Sequence, residues 1–157
     1  NTPGLTLRGR GELSEPQMRT RLARRKYTDE EINAAVCRLI EERALDDRRV
    51  ARACARTEAG IKHRGRLRVV RQIESLGIDR ETAREAVAEV FGDIDEPALL
   101  ERALDRKLRH GDNLEDRKTV ERVQRYLLAQ GFEGSRIRAI IEQRRFHSRE
   151  TRAKSRP

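Results

Sequence analysis

Tryptophan is absent from this 157-residue chain and aromatics make up only 3% of it. A recognition surface built from rows of stacked rings is therefore disfavoured. Two cysteines, Cys37 and Cys54, are too few for a disulfide framework or a four-cysteine zinc site. Their scarcity fits a reducing compartment, and a cytoplasmic location is expected. No apolar stretch approaches the ~18 residues of a membrane span, so no membrane partner is expected. No signal-peptide pattern precedes Gly4–Leu7. The chain begins at Asn1 rather than methionine, and further N-terminal residues are expected in the natural protein. A phosphate loop is also missing. Gly60 and Gly65 enclose Lys62 and Arg64, but no Lys-Ser/Thr pair follows Gly65, and no strand pattern precedes it.

What the chain does have is charge. Charged residues are 40% of it, with 36 Lys and Arg against 27 Asp and Glu, a net charge of +9 and a pI of about 10.5. Such a balance favours polyanions or acidic protein surfaces as partners. Opposite charges also alternate at helical spacing, as in Arg38/Glu42, Asp105/Arg109 and Glu121/Arg125, so part of the arginine content is expected to solvate helix faces. With hydrophobic residues at 36%, several thin helical layers are expected in place of one thick core.

Apolar periodicity predicts helices over 14–26, 28–43, 46–59, 64–76, 79–91, 95–110, 115–130 and 134–146, with no period-two strand of useful length. Ser14-Glu-Pro-Gln17 and Thr28-Asp-Glu-Glu31 read as capping boxes. Asp79 and Asp95 read as N-caps. Gly77 and Gly131 stand where helices should end in a left-handed cap.

Three segments superpose without a gap: Leu22–Tyr27, Ile73–Ile78 and Leu127–Phe132. The register carries Met18 onto Val69 and Val123, Lys26 onto Gly77 and Gly131, Ile32 onto Ala83 and Ile137, and Val36 onto Val87 and Ile141. The offsets are 51 and then 54 residues. Each unit is a helix, a corner residue (Tyr27, Ile78, Phe132), a cap and a second helix. A leading helix precedes units two and three, whereas unit one has only the short stretch Leu5–Gly11 in that place. The expected fold is all-α, a tandem array of about three three-helix repeats, none able to bury its apolar face alone. The repeats divide the chain at 1–46, 47–92 and 93–146, followed by a basic tail over 147–157.

Leu45-Asp46-Asp47 followed by Arg49-Val50-Ala51, then Arg64-Gly65-Arg66 with Val70–Ile78, resembles the RecX family of bacterial regulators of the RecA recombinase. Arg125-Tyr126-Leu127-Leu128 with Gly131-Phe132 is similar to that family's closing motif. The likeness covers residues 10–145. The family carries an aromatic residue where Val50 stands, and Lys26 departs from the glycine of the other two corners. The resemblance implies an elongated, curved array of three-helix repeats. It further implies binding along the groove of the RecA–DNA filament, with suppression of recombinase, ATPase and coprotease activities.

Asp46 and Asp47 suit a helix N-cap and first turn rather than a metal site. His63, His110 and His147 lie far apart, near helix ends or in the tail, without a nucleophile pattern. Cys37 and Cys54 fit the role of small packing hydrophobes. No enzyme activity, metal or cofactor is expected. The strongest functional candidates are basic stripes. Arg64, Arg68 and Arg71 fall at i, i+4 and i+7, opposite Val69, Ile73 and Leu76, with Arg66 off the stripe. Lys118, Arg122 and Arg125 occupy the same repeat positions in the third unit, with Arg117 as an off-stripe neighbour. The first unit has Leu13, Gln17 and Thr20 there, and its Arg21, Arg24 and Arg25 point elsewhere. Guanidinium stripes grip phosphates or acidic side chains. The tail from Arg144 to Pro157 lacks apolar periodicity after Phe146; disorder is expected, with at most non-specific attraction to DNA. Two readings follow: a monomeric regulator bound to the RecA filament, or a general helical module occupying single- or double-stranded DNA.

Overall fold

Eight α-helices and no strand form among the residues described by the computed structural model, 12–155. They are α1 (Glu15–Arg24), α2 (Asp29–Glu41), α3 (Asp47–Arg56), α4 (Arg66–Glu74), α5 (Arg80–Gly92), α6 (Glu96–Lys107), α7 (Arg117–Ala129) and α8 (Gly134–Lys154). The protein is all-α, as its periodicity requires. The Leu5–Gly11 stretch and Arg156 lie outside the described residues.

The local start signals act as their chemistry dictates. Ser14 and Thr28 close full capping boxes with Gln17 and Glu31. Asp46, Asp79 and Asp95 accept the N–H groups of Arg49, Thr82 and Ala98, satisfying donors that the helix itself leaves open. Asp47 does more than favour the helix dipole: its carboxylate accepts the Glu15 N–H at 2.7 Å and ties α3 to the start of α1. At the three aligned corners the backbone turns left-handed alike, with φ of 62° at Lys26, 82° at Gly77 and 94° at Gly131.

Two compact units divide the described chain differently from the sequence repeat. One holds the chain up to Arg56 with Val70–Val90, and the other holds Thr57–Val69 with the chain from Phe91 on. In the first, Met18, Leu22, Ile32, Val36 and Leu45 form a core flanked by Leu13, Tyr27, Ala35 and Leu39. Arg48–Glu85 and Arg52–Glu89 pair α3 with α5. In the second, α6, α7 and α8 pack mutually and bury Leu99, Leu104, Val123, Leu127, Ile137 and Ile141.

One helix-start contact recurs in both units. In the first, the Ser14 hydroxyl donates to the Leu76 carbonyl at 2.5 Å. In the second, the Gly65 N–H donates to the Gln130 carbonyl at 2.8 Å. Ser14 and Gly65 are repeat equivalents, as are Leu76 and Gln130. A hydroxyl in one unit thus does what a backbone amide does in the other, and each satisfies a carbonyl at a helix C-terminus.

Several local expectations need correction. The sequence starts the fourth helix at Arg64, but α4 begins at Arg66. His63 takes a positive φ of 52°, and the Gly65 N–H is directed at Gln130. Thr57–Ile61 form a π-turn beyond α3, closed by a Lys62 N–H to Thr57 carbonyl bond at 3.1 Å. The buried Glu58 sits in that turn. Cys37 is exposed and Cys54 half-buried, so Cys37 is no packing hydrophobe. It lies one residue past Val36, which takes the buried face of α2. Arg38/Glu42, Asp105/Arg109 and Glu121/Arg125 do not close as ion pairs. Glu121 instead pairs with Arg117, and Asp105 with Arg144. Finally, α8 continues to Lys154, where a disordered tail was expected from 147. Loss of apolar periodicity does not end a helix when strong helix formers continue without proline or glycine. Ser148 and Thr151 bond back to the carbonyls of Arg144 and His147, and Arg149 pairs with Glu115.

Candidate functional site

The folded chain sorts the basic residues into those with partners of their own and those open to others. Arg64 is not on α4. Its guanidinium turns to the carboxylate of buried Glu58, which Lys62 also meets at 2.7 Å. Burial works against ionising Glu58, but the hydrogen bonds from Lys62 and Arg64 outweigh it and hold its carboxyl below the usual range. Arg66 donates to Glu96 at 2.7 Å and lies 5.0 Å from the centre of the Phe91 ring. Glu96 also receives Arg136 at 2.8 Å.

The middle residue of each stripe serves a helix end. Arg68 donates to the Ala129 carbonyl at 3.1 Å. Its repeat equivalent Arg122 donates to the Lys107 carbonyl at 3.2 Å and to Asp112 at 2.5 Å. Basic side chains commonly satisfy the last carbonyls of helices in this way. The Asp112 carboxyl is held below its ordinary range by the Arg109 backbone N–H first and by Arg122 second. Arg117 pairs with Glu121 at 2.7 Å.

Arg71, Lys118 and Arg125 remain. All three are exposed, and no carboxylate among the described residues lies within ion-pair distance of them. Arg71 and Arg125 occupy equivalent repeat positions on the outer faces of α4 and α7. Arg21, Arg24 and Arg25 are likewise exposed and without an ion pair among the described residues. Arg21 and Arg24 line an open hollow of about 600 Å³ with Pro16, Gln17, Thr20 and Ser75.

Two features had little or no signal in the sequence. Glu58 carries no local mark of burial, since its partners are fixed by the π-turn. His63, near Arg106 and Arg102, has its basicity lowered by burial first and by those two charges second, which favours its neutral form. Among the described residues no three His, Cys, Asp or Glu side chains gather as a metal would need. No described helix is long and apolar enough to cross a membrane.

The chain is 25% identical over 146 residues to the regulatory protein RecX of Pelodictyon phaeoclathratiforme, covering 90% of this chain and 89% of that protein. The likeness supports the RecX family. No family model matches the sequence. The RecX likeness runs through all three corner segments, so it concerns the whole repeat framework and not one motif. What it is similar to is a regulatory protein, and the chain carries a helical framework with exposed cations.

Proposed function

We propose that this protein is a non-enzymatic regulator of the RecA recombinase that binds the RecA–DNA filament and suppresses its ATPase, strand-exchange and coprotease activities. The observation that carries this reading is the likeness to a regulatory protein RecX along nine-tenths of the chain. The tandem corners at Lys26, Gly77 and Gly131 support it, because repeated units offer repeated contacts to a periodic partner. The open cations Arg71, Lys118 and Arg125 are the candidate contacts, and Arg21, Arg24 and Arg25 are further candidates.

The test is ATP hydrolysis by RecA filaments preformed on single-stranded DNA, with DNA in excess so that competition for free strand cannot explain a loss. Inhibition well below one copy per RecA is expected. No effect at saturating protein overturns the reading. The same open arginines favour a second reading, a helical module that acts by occupying DNA. Pure DNA binding should fall with salt at a log–log slope of about −0.9 per phosphate neutralised on duplex, whereas filament binding should require RecA and keep a salt-resistant part.

A further inference from the structure

We propose that the hollow between the α6–α7 connection and α8 is a phosphate cradle that takes the backbone of single-stranded nucleic acid. It encloses about 200 Å³, room for one phosphate and its water and less than small-molecule sites usually enclose.

Four arginines of α8 line it, and three of them set its chemistry. The Arg145 Nε donates to the Leu114 carbonyl at 2.8 Å, which fixes that guanidinium against the connection. Arg149 donates through Nε and Nη2 to the two oxygens of Glu115, each at 2.8 Å. Arg152 lines the same hollow with no carboxylate among the described residues at ion-pair distance.

Glu115 is therefore a resident oxyanion in a guanidinium fork, the geometry with which arginine also takes phosphodiesters. Its carboxyl is held below the usual range by the Arg149 hydrogen bonds first, against desolvation, with the charges of Arg145 and Arg152 adding. Three guanidinia thus favour negative charge at one point, against two further carboxylates that have partners of their own: Glu142 takes Arg145 Nη1 at 2.5 Å, and Asp112, which lines the same hollow, is held by Arg122. The pair is also within reach of solvent, with Arg149 68% and Glu115 38% exposed, so an incoming phosphate can displace the carboxylate and gain Arg152.

Phe146 points to single strands. It is 62% exposed, three residues before Arg149 on α8, and meets His147 edge-on at 6.2 Å between ring centres. An open ring on the helix that carries the cradle arginines suits an unpaired base, which a duplex keeps within its stack.

The site needs no recombinase, so it stands or falls apart from the RecA reading; it rests on the second reading, DNA occupation, and gives that reading a place on α8. The experiment is fluorescence anisotropy of labelled oligothymidylate with the full chain alone, across a salt series, with circular dichroism confirming the fold of each variant. Arg149→Ala with Arg152→Ala should weaken binding about tenfold and flatten the log–log salt slope by roughly 0.7, the value for one phosphate contact on single strands. Glu115→Gln should tighten it about threefold by weakening the competing anion. Phe146→Ala should weaken binding of oligothymidylate more than that of duplex. Arg38→Ala with Arg84→Ala, exposed on α2 and α5, is the control for the same change of net charge. Equal losses in the control and the double variant overturn the cradle, as does an unchanged affinity of Glu115→Gln. Displacement of the oligonucleotide by polyglutamate at matched charge would reassign the hollow to acidic protein and overturn the nucleic-acid ligand.

Discussion

A Cβ on Gly131 would stand 2.3 Å from the backbone nitrogen of Arg68. The first turn of α4 rests directly on that corner, where the Leu67 N–H donates to the Gly131 carbonyl at 3.2 Å. Gly77 receives Pro16 in the same manner, its Cβ position lying 2.6 Å from the proline ring. Lys26, the third corner, is exposed. Glycine is needed there only for its freedom of φ, and a lysine can stand in at the cost of strain.

Gly131→Ala should therefore destabilise the protein by about 2–4 kcal/mol, combining left-handed strain with overpacking against backbone. Gly77→Ala should cost less, because a proline ring can shift further than a helix backbone. Lys26→Gly should raise stability by about 0.5–1 kcal/mol, the relief of strain exceeding the added entropy of the unfolded chain. Denaturant melts of the three variants check the order, and a Lys26→Gly protein less stable than wild type would refute the account of this corner.

Ser14→Ala removes both the cap on α1 and the hydroxyl bond to Leu76. A loss of about 1–3 kcal/mol is expected, more than a cap alone supplies. Thr28→Ala breaks an exposed capping box with no such second bond among the described residues. It should cost the smaller amount in the same melts.

Glu58 should make stability fall with acid. Its carboxyl is held below the ordinary value in the folded protein, so its contribution is complete above the unfolded value near 4.3. That contribution is lost as pH falls through the folded value. Glu58→Gln should lower stability at neutral pH by about 1–3 kcal/mol and flatten its decline across that acid range. A pH series of melts on both proteins measures this.

Reversing Arg71 and Arg125 to glutamate should weaken inhibition of RecA ATP hydrolysis about tenfold and leave the fold intact, since neither side chain holds an ion pair among the described residues. Arg66→Glu should instead reduce stability, because it places a carboxylate against Glu96 and Phe91. If the Arg71/Arg125 variant inhibits as wild type does, the outer faces of α4 and α7 are not the contact surface.

Local pattern alone was enough to find the eight helices, though not the start of α4 or the end of α8, together with the caps at Ser14, Thr28, Asp79 and Asp95 and the three corners. A capping box spans three residues and a corner only a few, so short-range sterics and hydrogen bonding decide them. The repeat register also located the buried rows Met18/Val69/Val123 and Val36/Val87/Ile141, because burial follows helical periodicity. What each arginine does was decided elsewhere. Arg64 and Arg68 look alike in the sequence, yet one meets the buried Glu58 and the other a carbonyl 61 residues away. Arg149 finds Glu115 across 34 residues. A charge pattern states which ions can pair, and only tertiary packing fixes which carboxylate or helix end comes within 3 Å. The division of this basic chain into internally paired and open cations is therefore a property of the fold.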